Sequence, residues 1–358
     1  MRKLLIFSVG LIAFGSLIGG ARAADPFYAG KTIHFIVGYA PGGGSDVMCR
    51  VMANHMTKHI AGAPTIVVQN MAGAGGANAI NYVSEVARPD GLTALCGTVD
   101  TLLQLLKDPA LRVNLNQFQW IFGVPDAQVT YVRTDVKPGI KQPADMFKAT
   151  GLVLGGFALT NSKDVEERLA LDLLGLKYQY VTGFNGEGAA RAAVQQNFIN
   201  TWTDAVSSYV AVDVPTLVKP GIVVPVFQSG MLDEAGQLTA PSPAVPDVPS
   251  LYAFYRQQFG KPPSGVQWDT FQAVQGVFSV AQRGIALASN APPEAVAALR
   301  ASAGPLLEDQ QFMADATNVM GAGFSVFDGG RVQQAFAQGL NPSPEVKQYL
   351  IDLTKKAP

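Results

Sequence analysis

Histidine is almost missing from this chain: His34, His55 and His59 are the whole supply. Catalytic triads centred on histidine therefore have little to build on. His55 and His59 stand four apart on a predicted helix, a spacing compatible with a metal. The segment His55-Met56-Thr57-Lys58-His59 lacks the glutamate of a metalloprotease and offers no third ligand, so both read as helix-surface residues and no metal is expected. Cysteine is equally scarce. Cys49 falls in a helical pattern and Cys96 in a strand pattern, and spacing alone leaves a disulfide and two small buried thiols both open. Charged residues make up only 15% of the chain, with no basic run, which argues against nucleic acid as a partner. Beyond residue 23 no segment is long and apolar enough to span a bilayer.

The first residues read as an address. Arg2 and Lys3 precede an apolar stretch from Leu4 to Gly20, and Ala21-Arg22-Ala23 places small residues where a signal peptidase cuts. Residues 1–23 are expected to be removed on export. Their loss takes three positive charges and no acid, moving the formal charge from -1 to -4. The remainder is longer than one core usually serves, so two domains are expected.

Thr32–Val37, Thr65–Val68 and Leu92–Cys96 read as strands separated by helices over 45–60 and 75–86. That alternation implies a largely parallel sheet covered on both faces. A second set follows, with strands near 152–154, 178–181 and 198–202 and helices over 161–174 and 186–196. An apolar run over 221–227, a strand over 272–280 and helical patterns from 293 to 354 complete the reading. Two α/β domains with a ligand cleft between them are expected: one from 24–123 and 225–358, the other from 124–224, with chain crossings near Val124 and Val224. The pair Glu166-Glu167 reads as solvated helix surface.

Two glycine loops carry the functional argument. Tyr39-Ala40-Pro41-Gly42-Gly43-Gly44-Ser45-Asp46 lies between the first strand and first helix, and Ala72-Gly73-Ala74-Gly75-Gly76 between the second strand and second helix. Such loops let backbone N–H groups converge on one spot, and a helix starting at Ser45 or Asp46 adds a partial positive charge; the alternative is two ordinary tight turns with Asp46 a plain N-cap. Together they form an anion cradle with no lysine or arginine, at the strand ends where open α/β sheets hold ligands. Other glycine chemistries fit less well. Gly44-Ser45-Asp46 lacks the Walker lysine, Gly73-Ala74-Gly75-Gly76-Ala77-Asn78 lacks the last dinucleotide glycine, and neither Ser45 nor Ser229 completes a nucleophile elbow.

The stretch Lys31 to Asp46, with Val67 to Asn78, Pro89-Asp90-Gly91, Pro246 to Leu251, Ala291-Pro292-Pro293 and Asn341 to Val346, resembles the receptors of tripartite tricarboxylate transporters, the Bug family. The resemblance implies a type II periplasmic-binding-protein fold that closes like a flytrap on a small organic acid. It implies a periplasmic receptor, expected to be monomeric, that takes a di- or tricarboxylate or an aromatic acid and serves membrane permease subunits, with no cofactor and no catalysis. A sensory receptor and an exported hydrolase are the alternatives. By the same resemblance the first loop contributes Tyr39, Ala40, Pro41, Gly42, Gly43, Gly44 and Ser45, and the second Ala72, Gly73, Ala74, Gly75 and Gly76. The opposite domain contributes Phe157, Ala158, Phe184, Asn185, Asp204 and Ser207. Tyr39, Phe157 and Phe184 are candidate walls for the carbon skeleton. Ala72 stands where the family usually has proline, and Trp202 reads as core because strand alternation turns it away from Thr201 and Thr203.

Overall fold

The computed structural model describes residues 25–233, 237–321 and 324–355; the expected leader at 1–23 lies outside them. In chain order, β1 (Thr32–Val37), α1 (Gly44–Met56), β2 (Thr65–Asn70), α2 (Ala77–Asn81), β3 (Thr93–Thr98), α3 (Leu102–Leu105) and β4 (Gln119–Val124) begin the first sheet. The chain then crosses to β5 (Gln128–Arg133), β6 (Leu152–Gly156), α4 (Ser162–Leu173), β7 (Tyr178–Thr182), α5 (Glu187–Gln195), β8 (Thr201–Ala205), α6 (Val206–Ser208) and β9 (Val223–Gln228). A short hairpin, β10 (Met231–Leu232) and β11 (Leu238–Ala240), leads to α7 (Leu251–Phe259), α8 (Val266–Ala281) and β12 (Arg283–Leu287). The chain ends with α9 (Pro293–Ala301), α10 (Ala303–Glu308), α11 (Gln310–Met320), β13 (Phe327–Asp328), α12 (Gly329–Gly339) and α13 (Pro344–Lys355).

The first sheet runs β13-β4-β12-β3-β1-β2 and the second β7-β6-β8-β5-β9. Each has a parallel core, β1 between β2 and β3 in one and β6 between β7 and β8 in the other. Antiparallel strands extend both: β12 inserts between β3 and β4, and β5 joins β8 to β9. Register fixes the location of the glycine loops, because Val37 lies opposite Asn70 on one side and Cys96 on the other. The turns that follow β1, β2 and β3 therefore leave the sheet at the same level. Cys49 of α1 and Cys96 of β3 are joined by a disulfide across a Cα separation of 6.1 Å, which settles that open choice and fastens α1 to the sheet.

Three sequence-based expectations give way here. Residues 272–280 are the interior of α8, not a strand. Trp268, Phe271, Val274, Gln275, Val277 and Phe278 are all buried because α8 packs against α4, α12 and α13, and a helix covered on several sides shows no clean apolar stripe. β9 pairs with β5 through Gln228, so the second sheet extends past Val224, where the crossing was placed. The strand expected at 198–202 sits at Thr201–Ala205, leaving Phe198 exposed.

One apolar core is continuous from Ile36, Leu95 and Trp120 of the first sheet, through Val274 and Phe278 of α8, to Leu154, Val165 and Leu169 of the second unit. Separate cores flank it, one under α1 and α11 and one behind Trp202 and Val206.

Candidate functional site

The two glycine loops lie against each other. A Cβ on Gly38 would meet the Gly76 Cα at 2.9 Å, and a Cβ on Gly76 would meet the Tyr39 ring at 3.5 Å. The Tyr39 hydroxyl donates to the Gly75 carbonyl at 3.2 Å. Gly73, Ala74, Gly75 and Gly76 all have positive φ, a run that glycine tolerates and that costs Ala74 some strain. Ala72 to Gly75 are exposed, as are Ala40 to Gly44.

α1 begins at Gly44 with Gly43 as its N-cap, one or two residues earlier than expected. Gly43 has no side chain to cover the first-turn amides, so they remain donors. Asp46, the N-cap of the ordinary-turn alternative, instead reaches back to accept from the Gly42 amide at 2.8 Å. Arg50 and Asn70 hold its other contacts at 2.9–3.0 Å. Its carboxyl is lowered to about 2, chiefly by the Arg50 hydrogen bond. The Ser45 hydroxyl shares a 2.7 Å hydrogen bond with Thr98, which anchors the loop to the end of β3.

The cradle is not free of cations. Arg283, the first residue of β12, lies beside the first loop: a Cβ on Gly44 would stand 3.4 Å from its Nη2. Its Nη1 donates to Asp126 at 3.2 Å, in the crossing between β4 and β5. Burial raises Asp126 to about 6 even with Arg283 opposing. Nothing in the local sequence, Gln282-Arg283-Gly284, marks this arginine; only the insertion of β12 next to β3 brings it to the loop.

The second unit presents a different face. The amides of Phe157 and Ala158 donate to Asp164 Oδ2 at 2.5 and 2.7 Å. Asp100 of the first unit lies near Ser162 at the start of α4, and the Lys163 amide goes to the Asn161 side chain. Gly183 and Phe184 donate to the carbonyl of Gly156. Asp204 is fully buried and pairs with Arg191 at 2.6 Å, so this expected ligand contact is held inside the second unit. Ser207 is buried, and its Cα would lie 3.3 Å from a Cβ on Gly321. Asn185 is exposed in the turn before α5.

Trp202 is core, as expected: it is fully buried and its ring meets Phe157 and Phe184 edge-on at centroid distances of 5.3 and 6.1 Å. Both phenylalanines are half-buried around it. Glu166 and Glu167 are not solvated surface. Both are buried, raised by that burial to about 8 and about 7. Ser229 at the return crossing lies near Glu166, and Thr203 of β8 lies near Glu167. His55 and His59 pair with Asp315 and Asp309 at 2.9 and 3.0 Å, joining α1 to α11. A cavity of about 780 Å³ lies away from the glycine loops, between α8, α12 and the β10–β11 hairpin.

Comparison with known proteins agrees with this architecture. The TctC solute-binding protein from Polaromonas, solved without ligand, superposes with a TM-score of 0.65 at 19% identity, over 92% of this chain and 99% of that one. MatC from Rhodopseudomonas palustris, solved with bound malate, gives 0.60 at 20% identity over 90% and 99%. Protein BugT of Bordetella pertussis is 37% identical over 91 residues, 25% of this chain. That match spans only about a quarter of BugT's own length, 27%. No family model matches the chain. The fold is that of the periplasmic solute-binding proteins. Within that class the structural neighbours and the sequence match converge on the Bug-type receptors of tripartite tricarboxylate transporters, to which this chain is similar.

Proposed function

We propose that this chain is an extracytoplasmic solute-binding receptor of the tripartite tricarboxylate type. It captures a small organic carboxylate between its two α/β units and presents it to membrane permease subunits, with no catalytic step of its own. The observation that carries the reading is the juxtaposition of two exposed glycine loops, the uncapped start of α1 and the Arg283 guanidinium. Backbone donors, a helix N-terminus and one arginine at a single spot suit a carboxylate. Tyr39 with residues 40–45 and 72–76 form the head-group side. Phe157, Ala158, Phe184, Asn185 and Ser207 close over the carbon skeleton, and Asp204 acts from behind through Arg191. The malate in MatC is a ligand of the same chemistry. Among the described residues no helix is long and apolar enough to cross a membrane, in keeping with a receptor that works beside its permease.

A thermal-shift screen of the exported form against organic acids tests this. An acid present at a hundred times its Kd should raise stability by about 2.7 kcal/mol. Gly43 has φ -77°, and a Cβ there would meet only the Ala40 carbonyl at 3.4 Å, so Gly43→Leu should fold while obstructing the loop. The shift should vanish in that variant. A flat response to every acid, with stabilisation by sugars or metals, would sink the proposal.

A further inference from the structure

Glycine loses more conformational freedom on folding than any other residue, so donors on a bare glycine loop converge only where something else fixes the chain. For the first loop, α1 supplies the frame. It packs against β1, β2 and β3, with β1 lying between the other two. Two pairs of residues, each four apart on the helix and so on one face, fasten its first turns to both outer strands. Toward β3, the Ser45 hydroxyl meets that of Thr98 at 2.7 Å and Cys49 is bonded to Cys96. Toward β2, Asp46 and Arg50 both reach Asn70, the last residue of that strand.

Asn70 uses its whole amide. Its Nδ2 donates to the Tyr39 carbonyl at 3.0 Å and to Asp46 Oδ1 at 2.9 Å, and its Oδ1 accepts from Arg50 at 3.2 Å. A carbonyl only accepts, so the Tyr39 contact fixes which end of the amide faces the loop. Asp46 carries the constraint onward by accepting from the Gly42 amide at 2.8 Å. The first loop is thus gripped at Tyr39, where it leaves β1, and again at Gly42, just ahead of the uncapped first turn of α1. Arg50 adds little of its own, since half of its side chain is exposed and an ion pair so placed is weak. The second loop begins two residues after Asn70. The intervening Met71 amide is bonded to the Val37 carbonyl at 2.7 Å, which fixes the backbone beside Asn70 to the end of β1.

Resting on the carboxylate reading above, we propose that Asn70 is the positioning residue of the cradle. It makes no contact with the ligand. Acting through Tyr39 and Asp46, it holds the first loop in the shape that presents the α1 amides, in register with the second loop. Its effect falls on the head group that all acids share, so it sets how tightly acids bind and not which acid is preferred.

The test is calorimetric titration of the exported form with malate, citrate, adipate, benzoate and terephthalate. Asn70→Asp keeps the shape and the acceptor for Arg50 but loses both donors, and Asn70→Ala loses the whole amide. The disulfide and the Ser45–Thr98 bond still hold α1 on its other side, so both variants should fold like the wild-type protein by circular dichroism. Each should bind every acid that the wild-type protein binds about tenfold more weakly. Ratios among the acids should stay within about twofold of the wild-type ratios. In isotope-labelled protein without ligand, the Gly42 amide resonance should move in both variants, because its partner Asp46 has lost an anchor. Wild-type affinity in folded Asn70→Ala overturns the inference and leaves the carboxylate receptor standing. So does weakened binding with the Gly42 resonance unmoved, or a changed ratio among acids, which would make Asn70 a ligand contact. Binding of no acid by the wild-type protein overturns both readings.

Discussion

Arg283 occupies two relationships at once, a hydrogen-bonded pair with Asp126 and a position against Gly44. Methionine preserves the length of its stem and removes the charge. Arg283→Met should weaken carboxylate binding at least tenfold. It should also lower stability by about 3 kcal/mol at neutral pH, because a buried carboxylate is left without its partner. The double variant Arg283→Met/Asp126→Asn should recover most of that stability and none of the binding, as denaturant melts and titrations will show. Recovery of both would mean the guanidinium is structural only. The glycines of both loops marked the candidate site in the sequence, since glycines after two neighbouring parallel strands let backbone donors converge. The arginine did not, because its place depends on β12, which joins at Arg283 a sheet that begins at Thr32.

At the scale of the element, α4 is the least ordinary part of the molecule. It is a helix of strongly charged sequence, Ser162-Lys163-Asp164-Val165-Glu166-Glu167-Arg168, whose charged side chains are buried. Glu166 and Glu167 keep their protons to about pH 8 and about pH 7 in the fold, against about 4.3 in an unfolded chain. The folded state therefore binds more protons across that interval, and stability must fall as pH rises through it. Calorimetric melts between pH 5 and pH 8.5 should show a declining melting temperature, and Glu166→Gln should flatten the decline. A profile that rises with pH in the wild-type protein would contradict the burial. Asp46 acts in the opposite sense and elsewhere: lowered to about 2, it supports the fold above about pH 4 and withdraws that support only in stronger acid. The helical period of α4 was legible. Its burial was not, because charge is the ordinary mark of an exposed face, and α8, which packs against it, lies far along the chain. α8 misled in the reverse direction: helix neighbours on several sides erased the amphipathic period that would have named it.

For the whole molecule, continuity of the core outweighs the division into two units. Trp120 belongs to the first sheet, Trp202 to the second, and Trp268 to α8 packed between them. Single-tryptophan variants should unfold in urea with coincident midpoints, since the apolar core runs through α8 into both units. Separated midpoints for Trp120 and Trp202 would show two units that melt independently. The two-unit plan itself was readable from strand–helix alternation on either side of the first crossing. The return crossing was not, because β9 continues an apolar run with no break in composition at Val224.

The carboxylates at the head of α4 have a consequence for descent. Asp164 already holds the amides of Phe157 and Ala158, and so stands in for an external carboxylate at those two donors. Relatives built on the same frame need invent no new pocket to change diet. Loss of one resident acid uncovers backbone donors that are already in place, and gain of one covers them again. Access to those donors can thus be lost by gain of one acid and regained by its loss, with no change in the glycine loops.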